Sequence, residues 1–305
     1  MADILARAAC FVAIIVFGAV LRRVGFFKKE DFHLLSKIVI RITLPAVIIT
    51  NFAGRELDYS LLVLILIGFL CGVVQILTAC ILNRRRGPVY QSFAVLNTSG
   101  VNIGNFVLPF AQGFLGPAGV MAASLFDVGN AVTCLGGAYS VAGMILEKEK
   151  RFSLRPVFRA LGKSVPLITY IIACLLSVFR VRLPGPVVDL AGIIGGANAF
   201  LAMLMLGVGF QADLRRIPEV LRLLLPRYLV SIGMAALCYF FLPVPAVYRP
   251  ALIIPFLGPV ATAAPAFTAE LKGDHELASA VNSFSILISI VLITAALLFI
   301  SGPQG

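Results

Sequence analysis

Long apolar runs recur along the whole chain and constrain its fold more than any other feature. The 305 residues are 60% hydrophobic and 13% charged, and their mean hydropathy is +1.02. About 20 consecutive apolar residues are needed for a helix to cross a bilayer. Such segments are centred near Val12, Ala46, Phe69, Gly104, Ala131, Ile172, Ala199, Met234, Val260 and Ile290. The pattern predicts an all-α polytopic membrane protein with ten transmembrane helices.

Positive charge marks one side of this predicted bundle. Most of the 25 lysines and arginines fall in the loops after segments one, three, five, seven and nine, and we assign Arg227 to the loop after segment seven. Loops rich in these residues face the cytoplasm. Both termini are therefore expected outside, in the plasma or bacterial inner membrane. Because the charge of +11 sits in short loops between apolar spans, nucleic acid is not an expected partner.

The ten segments divide into two related halves. A shift of 156 residues places Pro109 on Pro265 and Asp127 on Ser283 without a gap. Since each half has an odd number of spans, the second half must enter the membrane the opposite way round, which predicts a 5+5 inverted repeat. The expected organisation is a first repeat over residues 1–147, a cytoplasmic linker over residues 148–164 and a second repeat over residues 165–305, together forming one membrane domain.

Segments four and nine are interrupted in the same way, by proline, glycine and polar residues at bilayer depth. Irregular backbone is tolerated there only beside protein or a water-filled cavity. If the two segments cross, the half-helices that begin just after Pro109 and Pro265 present partial positive charge at the midplane, which favours an anion. Kinked packing helices are the alternative. The predicted substrate-binding residues are Asn97, Asn102, Gly104, Asn105, Pro109, Pro259, Thr262 and Pro265.

Asp127 is the only carboxylate that the sequence places near the membrane centre, and Asn130 shares its helical face. An ionisable group at this depth is a functional candidate by default. Asp127 and Asn130 are therefore candidates for coupling to H⁺ or Na⁺, and a purely scaffolding role for Asp127 stays open. The six cysteines show no C-x-x-C spacing, so neither a metal site nor any other cofactor is expected.

Three short motifs carry a family resemblance. Thr43-Leu44-Pro45-Ala46 in segment two, Asn102-x-Gly104 followed by Pro109, and Ala264-Pro265 in segment nine resemble the auxin efflux carrier family. That family includes plant auxin exporters and bacterial permeases described for malate and malonate. The chain departs from the pattern N-x-G-F-x-G-x-P of many bacterial members, since Asn105 and Val107 replace the phenylalanine and the second glycine.

The resemblance implies a scaffold domain and a transport domain like those of bile acid symporters and sodium-proton antiporters. It also implies that Asn102, Pro109 and Pro265 are crossover residues beside the substrate. We therefore expect a secondary active transporter or uniporter that moves a small organic anion, such as malate, malonate or an auxin-like acid, by alternating access.

Two alternatives of function stay open at this point: an ion-coupled symporter or antiporter, and a channel. An enzyme is not expected, because both histidines fall at helix ends and Asp127 stands alone at depth. The expected partners are the anion and the lipid bilayer, and a homodimer is not decided by the sequence.

Overall fold

The computed structural model describes residues 1–55, 58–147, 155–211, 213–242, 245 and 248–301. Residues 148–154 of the predicted linker lie outside this part. All regular structure within it is helical, apart from one isolated β-bridge. The α-helices are α1 (Ala2–Arg23), α2 (Asp31–Ile38), α3 (Leu44–Phe52), α4 (Val63–Asn83), α5 (Pro88–Thr98), α6 (Leu108–Phe114), α7 (Gly116–Val132), α8 (Ala138–Leu146), α9 (Arg155–Leu161), α10 (Val165–Val178), α11 (Gly185–Gly196), α12 (Asn198–Gly209), α13 (Ile217–Phe241), α14 (Arg249–Phe256), α15 (Ala264–Glu270) and α16 (His275–Ser301).

Seven helical runs in the described part are long and apolar enough to cross a membrane. They are Ala2–Arg23, Asp31–Phe52, Tyr59–Asn83, Gly116–Leu146, Gly185–Gly209, Leu214–Phe241 and His275–Ile300. A shorter apolar helix, Val165–Val178, adds to them. The prediction of an all-α polytopic membrane protein is therefore confirmed.

Two of the π-helical turns explain how prolines fit into continuous helical runs. Val39–Thr43 precedes Leu44 and Pro45, and Ile103–Val107 precedes Leu108 and Pro109. A proline inside an α-helix lacks one hydrogen bond and crowds the carbonyl four residues earlier. The wider π-turn gives this carbonyl room. Neither proline therefore ends its helix.

The helices pack in two groups. In the first group, α1 packs along α12, and α3 packs against α10 and α11. In the second, α4 packs along α7, α5 along α8, α13 against α14, and α15 against α16. The groups meet where α7 contacts α3 and α10, where α1 contacts α16 and where α12 contacts α6. Each group is thus more extensively packed within itself than against the other.

Two contacts place the predicted basic loops after segments one, seven and nine at one end of the bundle, which we call the basic end. Arg22 donates a hydrogen bond to the carbonyl oxygen of Val208 at 2.9 Å, joining the ends of α1 and α12. Arg216 and Asp274 form an ion pair at 2.6 Å. The assignment of Arg227 to a loop was wrong, because α13 begins at Ile217 and the Arg227 side chain is buried within the bundle.

Candidate functional site

The two interrupted segments cross through their backbones. The chain leaves helical geometry between α5 and Ile103, and again between α14 and α15. At the crossing, Val101 and Val260 lie opposite each other in an antiparallel bridge. The Asn102 amide donates to the Pro259 carbonyl at 2.9 Å, and the Ala261 amide donates to the Gly100 carbonyl at 3.1 Å. The breaks predicted from proline and glycine thus meet at one point.

Side chains from two neighbouring helices satisfy the remaining polar groups of the bridge. Asn130 of α7 accepts from the Val101 amide at 3.2 Å and donates to the Val101 carbonyl at 3.0 Å. On the other strand, Ser285 of α16 accepts from the Val260 amide at 3.0 Å, and Asn282 donates to the Val260 carbonyl at 2.8 Å. Unpaired backbone is costly away from water, so these side chains make the crossing tenable.

Glycine is required where the crossing segments approach their neighbours. A Cβ atom on Gly100 would lie 2.8 Å from Cys134 Sγ and 3.0 Å from Ala261 Cβ. A Cβ atom on Gly258 would lie 2.7 Å from side-chain atoms of both Val101 and Val107. These distances are too short for real side-chain contacts, so the close crossing depends on both glycines.

Arg227 links the two crossing segments through hydrogen bonds to both backbones. Its Nε donates to the carbonyl oxygen of Thr98, the last residue of α5, at 3.0 Å. Its Nη2 donates to the carbonyl oxygen of Gly258, just beyond α14, at 2.9 Å. Carbonyls at the ends of helices carry partial negative charge. One buried guanidinium therefore caps the C-terminal ends of both half-helices.

A cavity of about 150 Å³ lies beside the crossing, and we call it the crossover cavity. Both interrupted segments contribute to its lining, together with α7. The predicted site residues that line it are Asn102, Gly104, Asn105, Asp127, Asn130 and Thr262. The structure thus brings half of the predicted substrate-binding residues and both coupling candidates into one space.

Two of the polar residues that line the crossover cavity, Asn102 and Asn105, each keep one side-chain atom unpaired within the described part of the chain. Asn102 Oδ1 accepts a hydrogen bond from the backbone N–H of Asn105 at 3.3 Å. The side-chain Nδ2 of Asn105 donates to Thr262 Oγ1 at 3.3 Å. Asn102 Nδ2 and Asn105 Oδ1 are buried and have no hydrogen-bond partner among the described residues. Buried polar atoms are normally paired. A ligand in the cavity would find one free amide donor and one free acceptor.

The other four predicted residues do not line this cavity. Asn97 donates to the carbonyl of Phe93 and to the hydroxyl of Thr268. Pro259 contributes only its carbonyl to the bridge, and Pro265 lies in the first turn of α15. Pro109 is buried in the first turn of α6. The expectation that helix resumes just after Pro109 was wrong, because the π-turn begins at Ile103 and accommodates the proline.

Asp127 links the cavity to the first group of helices. Its Oδ1 accepts from Asn130 Nδ2 at 3.1 Å, and its Oδ2 accepts from the Tyr170 hydroxyl of α10 at 3.2 Å. A chain of hydrogen bonds thus runs from Tyr170 through Asp127 and Asn130 to the Val101 backbone. The sequence analysis did not single out Tyr170, since one tyrosine in an apolar span carries no distinctive pattern.

A larger basic cavity adjoins the crossover cavity. It has a volume of about 360 Å³ and is lined by His33, Lys37, Arg41 and Lys163, among others. Ile40 and Ser164 line both cavities. A cleft lined by one sign of charge concentrates ligands of the opposite sign. The approach to the crossover cavity from the basic end therefore favours anions.

The described residues include no group of three or more His, Cys, Asp or Glu side chains able to hold a metal ion. Comparison with known protein families finds no match for the chain, and comparison with curated proteins finds none either.

Proposed function

We propose that this protein is a secondary carrier that binds a small organic anion, of the carboxylate class that includes malate, malonate and auxin-like acids, in the crossover cavity. The observation that carries the proposal is the pair of buried asparagines at the crossing of two interrupted segments. Asn102 Nδ2 offers an unpaired donor, and the neighbouring basic cavity attracts anions. Broken helices that meet at bilayer depth are typical of carrier sites.

The proposed architecture has ten spans in a 5+5 inverted repeat. Adding α10 and the two interrupted segments to the seven long runs gives this number. The bridge supports the repeat, because each strand is held by side chains of the long helix that follows it. It pairs Val101 with Val260, whereas a 156-residue shift would place Val101 on Leu257. An alignment of the two halves that matches Val101 with Val260 and also Pro109 with Pro265 therefore needs a gap of three residues between these two points.

Alternating access requires two bodies that move relative to each other. In our proposal, the group that contains α1, α3, α10, α11 and α12 is the scaffold, and the group that contains the crossing is the transport domain. The packing into two groups supports this division. The motifs at Thr43, Asn102 and Ala264 support membership of the auxin efflux carrier family, with the basic end in the cytoplasm and both termini outside.

Ion coupling is the second candidate, and the position of Asp127 favours it. The carboxylate lines the crossover cavity and is linked through Asn130 to the crossing backbone. Binding of H⁺ or Na⁺ by this group would act directly on the segment that contacts the anion. The protein would then be a symporter or antiporter rather than a uniporter.

The test is uptake of labelled malate, malonate and indole acetate into proteoliposomes. We expect saturable uptake of at least one anion, strongly reduced by Asn102→Ala and Asn105→Ala. Asn51→Ala is the matched control, because the Asn51 amide donates to Val47 of its own helix and does not line the cavity. Equal losses in all three variants would refute the assignment of the site.

The same vesicles separate the mechanisms. Uptake driven by an imposed pH or Na⁺ gradient, and lost in Asp127→Asn, would identify Asp127 as the coupling group. Flux that does not depend on the pH or Na⁺ gradient, and that is retained in Asp127→Asn, would indicate a uniporter. Flux that rises linearly with anion concentration, without saturation, would indicate a channel instead.

A further inference from the structure

A separate cavity of about 200 Å³ lies between the C-terminal end of α4 and the N-terminal part of α13, at the basic end. Three arginines line it: Arg86, Arg222 and Arg227. Gln75 and Thr98 also contribute to the lining, and none of the described residues that line it is a carboxylate. The cavity therefore concentrates positive charge without an internal counter-ion.

Arg227 gives this cavity a built binding group. Only 1% of the residue surface is exposed, and two of its nitrogens are engaged by Thr98 and Gly258. The third, Nη1, has no hydrogen-bond partner in the described part of the chain. Gln75 lies beside it, held by donation from Nε2 to the carbonyl oxygen of Arg227 at 3.1 Å. A buried guanidinium nitrogen thus remains unpaired at a cavity that two exposed arginines also line.

The two carbonyl oxygens bring no net charge, so the buried guanidinium has no counter-ion among the described residues, and an anion in the cavity would compensate its charge. The planar guanidinium fork matches phosphate oxygens with two parallel hydrogen bonds, which makes arginine clusters good phosphate sites. Basic pockets between transmembrane helices near the membrane surface also bind lipid phosphates. We propose that this cavity binds a phosphate group, which belongs either to free inorganic phosphate or to the headgroup of an anionic lipid.

The position of the site gives the bound phosphate a structural consequence. It would contact the same guanidinium that joins Thr98 to Gly258, and hence the ends of both half-helices at the crossing. Occupancy would fix the Arg227 side chain and stabilise the bundle around it. The proposal does not depend on which substrate occupies the crossover cavity.

The first experiment measures the melting temperature of the detergent-purified protein during titration with inorganic phosphate. Sodium chloride at matched ionic strength is the reference. We expect a saturable rise with phosphate alone. Arg86→Gln and Arg222→Gln should each raise the apparent Kd about tenfold or more, since each removes a charged hydrogen-bond donor. Arg85→Gln is the control, because Arg85 has the same charge but does not line the cavity.

The second experiment identifies the source of the phosphate. Native mass spectrometry would compare the retention of phosphatidic acid by the wild-type protein, the Arg86→Gln/Arg222→Gln double variant and Arg85→Gln. Selective loss of the lipid from the double variant identifies a headgroup. A phosphate-dependent melting shift without selective lipid retention identifies free phosphate. If phosphate acts no differently from chloride and lipid retention is equal in all three proteins, the proposal is wrong.

Discussion

Asn130 bonds both polar backbone groups of Val101, accepting from the amide at 3.2 Å and donating to the carbonyl at 3.0 Å. Val101 lies in the extended stretch where the two interrupted segments cross, and its opposite neighbour across the bridge is Val260. Because a strand in this position has only one neighbouring strand, its outer edge needs partners of another kind. The carboxamide of Asn130 takes the place of a third strand.

Replacing Asn130 with leucine should destabilise the protein strongly. The substitution keeps the side-chain size but leaves the Val101 amide and carbonyl unpaired, at about 1–3 kcal/mol for each group. Thermal unfolding in detergent would measure the loss. Asn51→Leu is the control, since the side-chain Nδ2 of Asn51 donates to the carbonyl oxygen of Val47 in its own helix. A similar loss in the two variants would mean that the bridge does not depend on Asn130.

Gly100→Ala should destabilise the crossing, because the added methyl group would lie 2.8 Å from Cys134 Sγ. Overpacking of this kind costs about 1–3 kcal/mol. Gly192→Ala, in the middle of α11, adds a methyl group with no atom within 4 Å and is expected to be neutral or slightly stabilising. Melting temperatures of the two variants would decide. A tolerated Gly100→Ala would show that the crossing has room to relax.

The sequence anticipates the crossing because polar residues and glycines at bilayer depth have few structural solutions. Asn102, Asn105 and Thr262 were predicted on this argument, and the structure brings them into one cavity. The prediction that a half-helix begins just after Pro109 was wrong. A π-turn that accommodates a proline is a local adjustment with no sequence signature of its own.

Arg227 was misassigned for a different physical reason. It follows Pro226, and a basic residue beside a proline near other arginines is typical of a loop. The helix α13 instead continues through Pro226, and the carbonyls of Thr98 and Gly258 supply the partners that make burial of the guanidinium tenable. These partners are remote in sequence. Only the tertiary arrangement reveals them.

Arg227→Lys should cost stability although it preserves the charge. A single ammonium group lacks the planar fork with which Arg227 reaches two carbonyl oxygens at once. Loss of one of these bonds should cost about 1–3 kcal/mol. Arg222→Lys, on the exposed face of the same helix, is expected to change stability by less than about 0.5 kcal/mol. Equal stabilities of the two variants in chemical unfolding would contradict a capping role for Arg227.

The hydrogen bond between Tyr170 and Asp127 joins the two groups of helices at bilayer depth, and its energy is accessible to a double-mutant cycle. Tyr170→Phe removes the donor and keeps the ring, while Asp127→Leu removes the acceptor at similar size. If the hydroxyl and the carboxyl group interact in the resting protein, the two losses should be non-additive by about 0.5–3 kcal/mol. The matched cycle pairs Tyr170→Phe with Thr262→Val, because the Thr262 hydroxyl accepts from Asn105 rather than from Tyr170 and should show no coupling. Additive losses in both cycles would mean that the Tyr170 hydroxyl does not bind the Asp127 carboxyl group, and Asp127 would then be linked by hydrogen bonds to the crossing through Asn130 alone.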